Sequence, residues 1–183
     1  MRPIIFGMCM FAGACSGQVL DSPTSPSTAT VAPDRTQAQG AVQLPFRGTF
    51  IGESARGAVN CPPTCPPTTL RVTGKDTGEA THLGHFTAIY EDVVYIPATT
   101  GTGTLTFTAA NGDELFTTYE GGQTEFVPPD LSTLTLVATI TGGTGRFAAA
   151  TGTFTIIRIL VVNFATGIGT ESGSFEGQIS LNK

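Results

Sequence analysis

The feature that most constrains the fold of this chain is a repeated alternation of threonine with apolar residues. Between Thr104 and Ala110, Leu105, Phe107 and Ala109 alternate with threonines, and the same period of two returns elsewhere. Successive side chains of a β-strand point to opposite faces, so this period is typical of a strand with one buried face. Glycine, at 23 of 183 residues, and 12 prolines separate these segments, as turn residues do. The sequence therefore predicts an all-β protein without a long helix.

Eight segments of this kind follow residue 42. They are Leu44–Glu53, Thr68–Gly74, Glu79–Tyr90 with a continuation to Ile96, Thr104–Ala110, Asp113–Glu120, Leu131–Thr141, Thr151–Phe164 and Gly169–Leu181. Consecutive strands with short loops favour closure, because a closed sheet has no exposed edge. A barrel of eight strands is filled by side chains or holds one small ligand. The predicted fold is a closed eight-stranded antiparallel barrel, with a two-sheet sandwich as the alternative.

The clearest hairpin joins the fourth and fifth strands through Asn111-Gly112. This dipeptide is preferred in type I′ turns, since both positions need a positive φ. A two-residue loop would place Phe107 opposite Phe116. Glu114 and Glu120 would then share the face of these two rings.

Acidic groups on apolar faces are the most informative polar residues. The candidate site residues are Glu114, Glu120, His82 and Tyr90, of which the last two are placed with Phe86 on one face of the third strand. Glu171 shares a face with Phe175 and Ile179. A carboxylate inside an apolar barrel has a raised pKa and serves as a general acid or a ligand anchor. The alternative is that each acid lies at a strand end in water.

The amino terminus has the composition of a leader. Arg2 precedes an apolar run from Ile4 to Ala14 that ends in Ala12-Gly13-Ala14. As a helix this run would cover about 16 Å, well short of a hydrocarbon core of about 30 Å. The pattern predicts a signal peptide at residues 1–14, and the alternative is a buried strand or helix.

The segment Phe11–Ser16 resembles a bacterial lipobox, although Ala12 stands where leucine is usual. The resemblance implies that Cys15 carries a lipid and tethers the protein to a membrane. The predicted location is outside the cytoplasm, in the bacterial cell envelope or, without the lipid, secreted.

Cysteine counting is consistent with lipidation. Loss of the leader leaves Cys15, Cys61 and Cys65, and an unpaired thiol is unusual in an oxidising compartment. If Cys15 is lipidated, Cys61 and Cys65 can form a disulfide; the alternatives are free thiols or a zinc site. His82 and His85 would have to complete the zinc site, but their odd separation puts them on opposite faces of a strand. The sequence thus predicts no metal.

Residues 15–41 are rich in serine, threonine, proline and alanine, with hardly a large apolar side chain. Such a stretch cannot offset its ordering entropy, so it is predicted to be a disordered tether. The barrel domain is assigned to residues 42–183.

Several functions are disfavoured. Charged residues make up 13% of the chain, the net charge is −5, and Lys75 and Lys183 are its only lysines. Nucleic acid is therefore not an expected partner. The pattern from Gly143 to Ala148 fits a dinucleotide fingerprint, but a β-branched strand follows it instead of the helix that the pyrophosphate needs. No cofactor is predicted.

The stretch Thr141–Phe147, with Ala148–Gly152 after it, resembles the Gly-Gly-Thr-Gly-Arg-Phe segment of dirigent proteins and allene oxide cyclases. The ending Gly173–Ile179 is similar to the last strand of that superfamily. The resemblance implies an eight-stranded barrel and allows a cavity, but it carries over no active-site residues. The expected function is a lipid-anchored module that binds a small apolar ligand. The alternatives are a cyclase-like or isomerase-like enzyme that steers its substrate by cavity shape, and an envelope interaction protein with a filled barrel.

Overall fold

A computed structural model describes residues 42–59 and 68–181. Its eight strands are β1 Gln43–Val59, β2 Thr69–Ala80, β3 Gly84–Tyr95, β4 Thr100–Thr108, β5 Glu114–Val127, β6 Leu131–Gly143, β7 Thr151–Asn163 and β8 Ile168–Ser180. Each strand pairs antiparallel with the next, and β8 pairs with β1 from Ser180 opposite Gln43 to Ile168 opposite Ala55. The predicted closed eight-stranded antiparallel barrel is confirmed.

The predicted leader, the tether and its Cys15, and the pair Cys61 and Cys65 lie outside the described residues. The assignments made for them therefore stay predictions.

Alternation decides which side chains face the barrel interior. Along β7, Phe154, Ile156 and Leu160 are buried, whereas Ile157 and Ile159 face outward and are 47% and 43% exposed. This strand therefore has apolar side chains on both of its faces. The two faces differ because the inward side chains pack against inward side chains of the other strands, whereas the outward side chains are exposed.

One end of the barrel, called here the packed end, is filled with aromatic side chains. Five phenyl rings pack together here, with centroid separations of 5.0–6.2 Å between contacting rings. They belong to Phe46, Phe86, Phe107, Phe154 and Phe175. Phe147 lies in a 3-10 turn, Gly145–Phe147, at the glycine-rich corner between β6 and β7, and its side chain is fully buried. The corner therefore closes the packed end of the barrel.

The connections β3–β4, β5–β6 and β7–β8 lie at the opposite end, called here the cavity end. The described residues contain two helices, Ile96–Ala98 at this end and the turn at the packed end, each of three residues. Among these residues, no helix has the length and apolarity that crossing a membrane requires.

The predicted start of the third strand is wrong. Glu79 belongs to β2, where it pairs with His85, and a turn over residues 81–83 precedes Gly84, the first residue of β3. His82 has a φ of 64° in this turn. It therefore does not continue the inward face of β3, which begins at Phe86.

The predicted pairing of the hairpin is also wrong, by one residue. The loop spans residues 109–113 and is closed by the Ala109 N–H donating to the Asp113 carbonyl at 2.9 Å. Phe107 therefore lies opposite Leu115, and Phe116 lies opposite Thr106 on the outer face.

A side chain explains the longer loop. Asp113 accepts hydrogen bonds from the Asn111 amide at 2.8 Å and from the Arg146 backbone N–H at 3.2 Å. These bonds hold Asp113 in the loop, and a shift of one residue moves every side chain of a strand to the other face. As a result Glu114 and Glu120 lie outside the barrel.

Candidate functional site

A cavity of about 370 Å³ lies inside the cavity end of the barrel. Its walls are mostly apolar, formed by Leu70, Val72, Val94, Ile96, Phe126, Leu134, Leu136, Leu160 and Phe164. Small-molecule sites in proteins are typically apolar cavities of about 300–1,000 Å³ with a few polar groups. The cavity has the size and the walls of such a site.

The sequence leaves this space open by placing small residues on the inward face. At the packed end β4 and β5 bring Phe107 and Leu115 inside, whereas at the cavity end their inward positions hold Gly101 and Gly121. These glycines line the cavity without a side chain to fill it. The interior is thus solid at the packed end and unfilled at the cavity end.

Below the cavity lies a group called here the polar cluster. Its members are Arg56, Asp76, Tyr90, Asp92, Tyr119, Arg158 and Glu171, which β1, β2, β3, β5, β7 and β8 direct inward. Two guanidinium groups and three carboxyl groups are thus brought together from strands that are distant in the sequence.

Arg158 is the centre of the polar cluster, and its side chain is 4% exposed. Its two terminal nitrogens contact Asp76 Oδ2 at 3.0 Å and Glu171 Oε2 at 3.4 Å. Its guanidinium carbon lies 4.1 Å from the centroid of the Tyr90 ring and 5.2 Å from that of the Phe50 ring. A cation between aromatic faces and two carboxyl groups is held on all sides.

Tyr90 ties the third strand to the eighth. Its hydroxyl lies 2.8 and 2.9 Å from the two oxygens of Glu171 and donates to that carboxyl group. Burial raises the pKa of the Tyr90 phenol, and the neighbouring Glu171 raises it further. The phenol therefore keeps its proton and acts as a donor at physiological pH.

Asp76 is held mainly in its protonated form at neutral pH. Burial raises its pKa to about 8, and the neighbouring carboxyl of Glu171 adds to this rise against the opposing effect of Arg158. Two adjacent carboxyl groups beside one guanidinium retain a proton because their negative charges repel each other.

Two glycines make room for these side chains. A methyl group at Gly52 would overlap the Asp76 carboxyl, and one at Gly74 would overlap the Tyr90 ring. Gly52 and Gly74 therefore allow polar side chains to lie flat against the barrel wall.

Asp92 and Arg56 line the cavity beside Arg158. Each of the two side chains has one polar atom without a hydrogen-bond partner. Asp92 Oδ1 and Arg56 Nε are buried without a hydrogen-bond partner, and the Tyr119 hydroxyl lies beside the Asp92 carboxyl group. Burial raises the pKa of Asp92 to about 6, against the opposing effect of Arg158. An acceptor and a donor of opposite charge are thus available at the base of the cavity.

Of the four candidate site residues, Tyr90 is the one that reaches the cavity. Glu114 and Glu120 lie on the outer face of β5, and His82 lies in the β2–β3 turn. Glu171 is 5% exposed and shares the inward face with Phe175 and Ile179, as its alternation predicted. Among the described residues, no group of three or more histidine, cysteine or carboxylate side chains is placed to hold a metal ion.

Sequence reasoning missed Arg158, Asp76, Asp92 and Arg56. A signal was present, because each follows the inward alternation of its own strand, as Arg158 does after Phe154 and Ile156. A charged residue at such a position in an apolar strand is a candidate for a buried ion pair, since an unpaired charge is costly to bury.

No family model and no curated protein matches the chain. Among solved structures it is similar to the pterocarpan synthase dirigent protein, with a TM-score of 0.43 and 14% sequence identity, over 78% of this chain and 93% of that chain. The eight-stranded antiparallel barrel implied by the resemblance to dirigent proteins and allene oxide cyclases is the architecture that the chain adopts.

Proposed function

We propose that this protein is a binding module that holds one small, largely apolar molecule in the cavity end of its barrel. The observation that carries the proposal is the cavity of about 370 Å³ with apolar walls and a polar base. A rigid closed sheet suits such a role, because a preformed site does not have to be ordered when the ligand enters.

The cavity volume of about 370 Å³ favours a ligand with a few rings or one short chain. The apolar walls would bury its body, and the polar cluster would meet its polar end. Each square ångström of apolar surface removed from water contributes about 25 cal/mol to the binding free energy, before the costs of association are subtracted. A ligand body of this kind would therefore bind through shape and burial.

The test uses a dye that fluoresces in apolar surroundings, N-phenyl-1-naphthylamine. The wild-type protein should enhance its emission with a saturable curve of one site per chain. Leu134, which lines the cavity, is replaced by tryptophan to fill the space. Leu134→Trp should weaken dye binding about tenfold or more, a change of about 1.4 kcal/mol.

The matched control is Val137→Trp on the same strand. Val137 faces outward and is 52% exposed, so the same ring is added outside the barrel. Dye binding should stay at the wild-type level in this variant. Equal loss in both variants, or no saturable binding by the wild type, would refute the proposed site.

We further propose that the module is exported and anchored by a lipid on Cys15, as the lipobox-like segment suggests. Full-length protein extracted with detergent from a bacterial host should have the mass of a chain that begins at Cys15 plus a diacylglyceryl group. Cys15→Ala should move the protein to the soluble fraction. A mature chain without added mass would contradict the anchor and leave the binding module as a secreted protein.

A second candidate function is an enzyme of the cyclase or isomerase type, with the cavity steering a reactive substrate. The observation that favours it is Asp92, whose burial raises its pKa to about 6 beside the phenol of Tyr119. A general acid or base works best with a pKa near the working pH. Turnover of a cavity-bound compound that is lost in Asp92→Asn, with dye binding retained, would favour the enzyme over the binding module.

A further inference from the structure

Three members of the polar cluster are joined directly to one another, and further members lie beside them. Arg158, Asp76 and Glu171 are already joined by contacts of 3.0 and 3.4 Å, and the Tyr90 hydroxyl donates to Glu171. Beside them, Asp92 Oδ1 and Arg56 Nε are buried without a hydrogen-bond partner, as are Asp76 Oδ1 and Arg158 Nε within the joined group.

Asp92 and Arg56 both line the cavity, so these two polar side chains lie beside the space that a ligand would occupy. Buried polar groups are nearly always hydrogen-bonded, and a buried group without a partner is costly to leave so. A ligand whose polar end accepts from Arg56 and donates to Asp92 would satisfy both groups at once.

The charge balance of the cluster argues against a charged polar end. The guanidinium groups of Arg56 and Arg158 lie among three carboxyl groups, and burial raises the pKa of one of these, Asp76, which favours its neutral form. A carboxylate on the ligand would then lie near two carboxylates, and an ammonium would lie near two guanidinium groups. Either would add an uncompensated charge to a buried site, which is unfavourable.

We propose that the cavity selects ligands whose polar end is uncharged and both donates and accepts hydrogen bonds, a hydroxyl or a primary carboxamide, bound between Arg56 and Asp92. This inference rests on the proposed function. It adds the chemical class of the polar end, which the apolar walls alone do not specify.

The test compares four compounds that have alkyl chains of the same length and differ in their polar end, called here the head. 1-Octanol, octanamide, octanoate and octylammonium are each titrated at pH 7 against the bound dye N-phenyl-1-naphthylamine. Octanol and octanamide should displace the dye at concentrations about tenfold or more below those of the two ions, because either ion would bring an uncompensated charge into the buried site. Octanoate or octylammonium equal to octanol would overturn the inference.

Two variants alter the charge balance in opposite directions. Asp92→Asn leaves the site with an excess positive charge and should shift the preference about tenfold toward octanoate. Arg56→Gln leaves an excess negative charge and should shift it toward octylammonium. If both variants fold, as judged by far-UV circular dichroism, and neither changes the order of the heads, the inference is wrong.

The matched controls sit on the outer face of the same barrel. Glu91→Gln removes a carboxylate from the position next to Asp92, and Arg71→Gln removes its exposed partner, which lies 3.3 Å from Glu91. These variants change the net charge of the protein as the test variants do and should not change the order of the heads. A shift of the same size in the controls would attribute the effect to overall charge and overturn the inference.

The outcomes separate this inference from the proposed function. If all four compounds displace the dye equally well, the cavity binds apolar bodies and the inference about the polar end fails alone. If the dye itself does not bind, the proposed function fails and the inference fails with it.

Discussion

Replacement of Arg158 by methionine tests whether the polar cluster holds the barrel together. Methionine keeps the length and the apolar stem of the side chain and removes the charge. The variant loses contacts of 3.0 and 3.4 Å to Asp76 and Glu171 and leaves two carboxyl groups side by side in the interior. Removal of one partner of a buried ion pair costs about 3–5 kcal/mol.

The control is Arg71→Met. Arg71 contacts Glu91 at 3.3 Å, but their side chains are 59% and 48% exposed, so the pair is solvated. An exposed pair contributes about 0–1 kcal/mol. The two substitutions are chemically identical and differ in burial.

The assay is urea unfolding at pH 7, followed by far-UV circular dichroism. With a slope of about 2 kcal/mol per M, a loss of 3–5 kcal/mol lowers the midpoint by about 2 M, whereas Arg71→Met should lower it by less than about 0.5 M. A midpoint for Arg158→Met within 0.5 M (about 1 kcal/mol) of that for Arg71→Met would refute the reasoning.

Two further predictions concern the same interior. The free energy of unfolding should fall between about pH 4 and pH 8. The reason is that the raised pKa values of Asp76 (about 8) and Asp92 (about 6) make the folded state bind more protons than the unfolded state. Urea midpoints that rise over this range would contradict the prediction, and Asp76→Asn should flatten the pH dependence. Gly74→Ala should cost about 1–3 kcal/mol through overlap with the Tyr90 ring, while Gly57→Ala, with open space around its Cβ, should unfold like the wild type in thermal melts.

The Thr–apolar alternation was enough to predict the strands and the closed barrel. The period of two depends on the geometry of a single strand, and closure follows from the cost of unpaired edges, so both can be derived from local sequence. The inward position of Glu171 was predicted correctly for the same reason, because its separation along the strand from Phe175 and from Ile179 is an even number of residues.

The pairing of neighbouring strands could not be derived in the same way. Asn111-Gly112 predicts a turn, but the hydrogen bonds from Asn111 and from the Arg146 backbone keep Asp113 in the loop and move the register by one residue. The second of these partners lies far along the chain, so only the folded barrel reveals it. The one-residue shift in register placed Glu114 and Glu120 on the outer face of the barrel and Tyr119 on its inner face.

The chain by itself determined the all-β class, the number of strands and the alternation that sends Tyr90 and Glu171 inward. The tertiary structure decided that Arg158 meets Asp76 and Glu171, and that glycines on β4 and β5 leave a cavity above them. The physical reason is distance along the chain: alternation acts within one strand, whereas an ion pair and a cavity depend on which strands the closed sheet brings face to face.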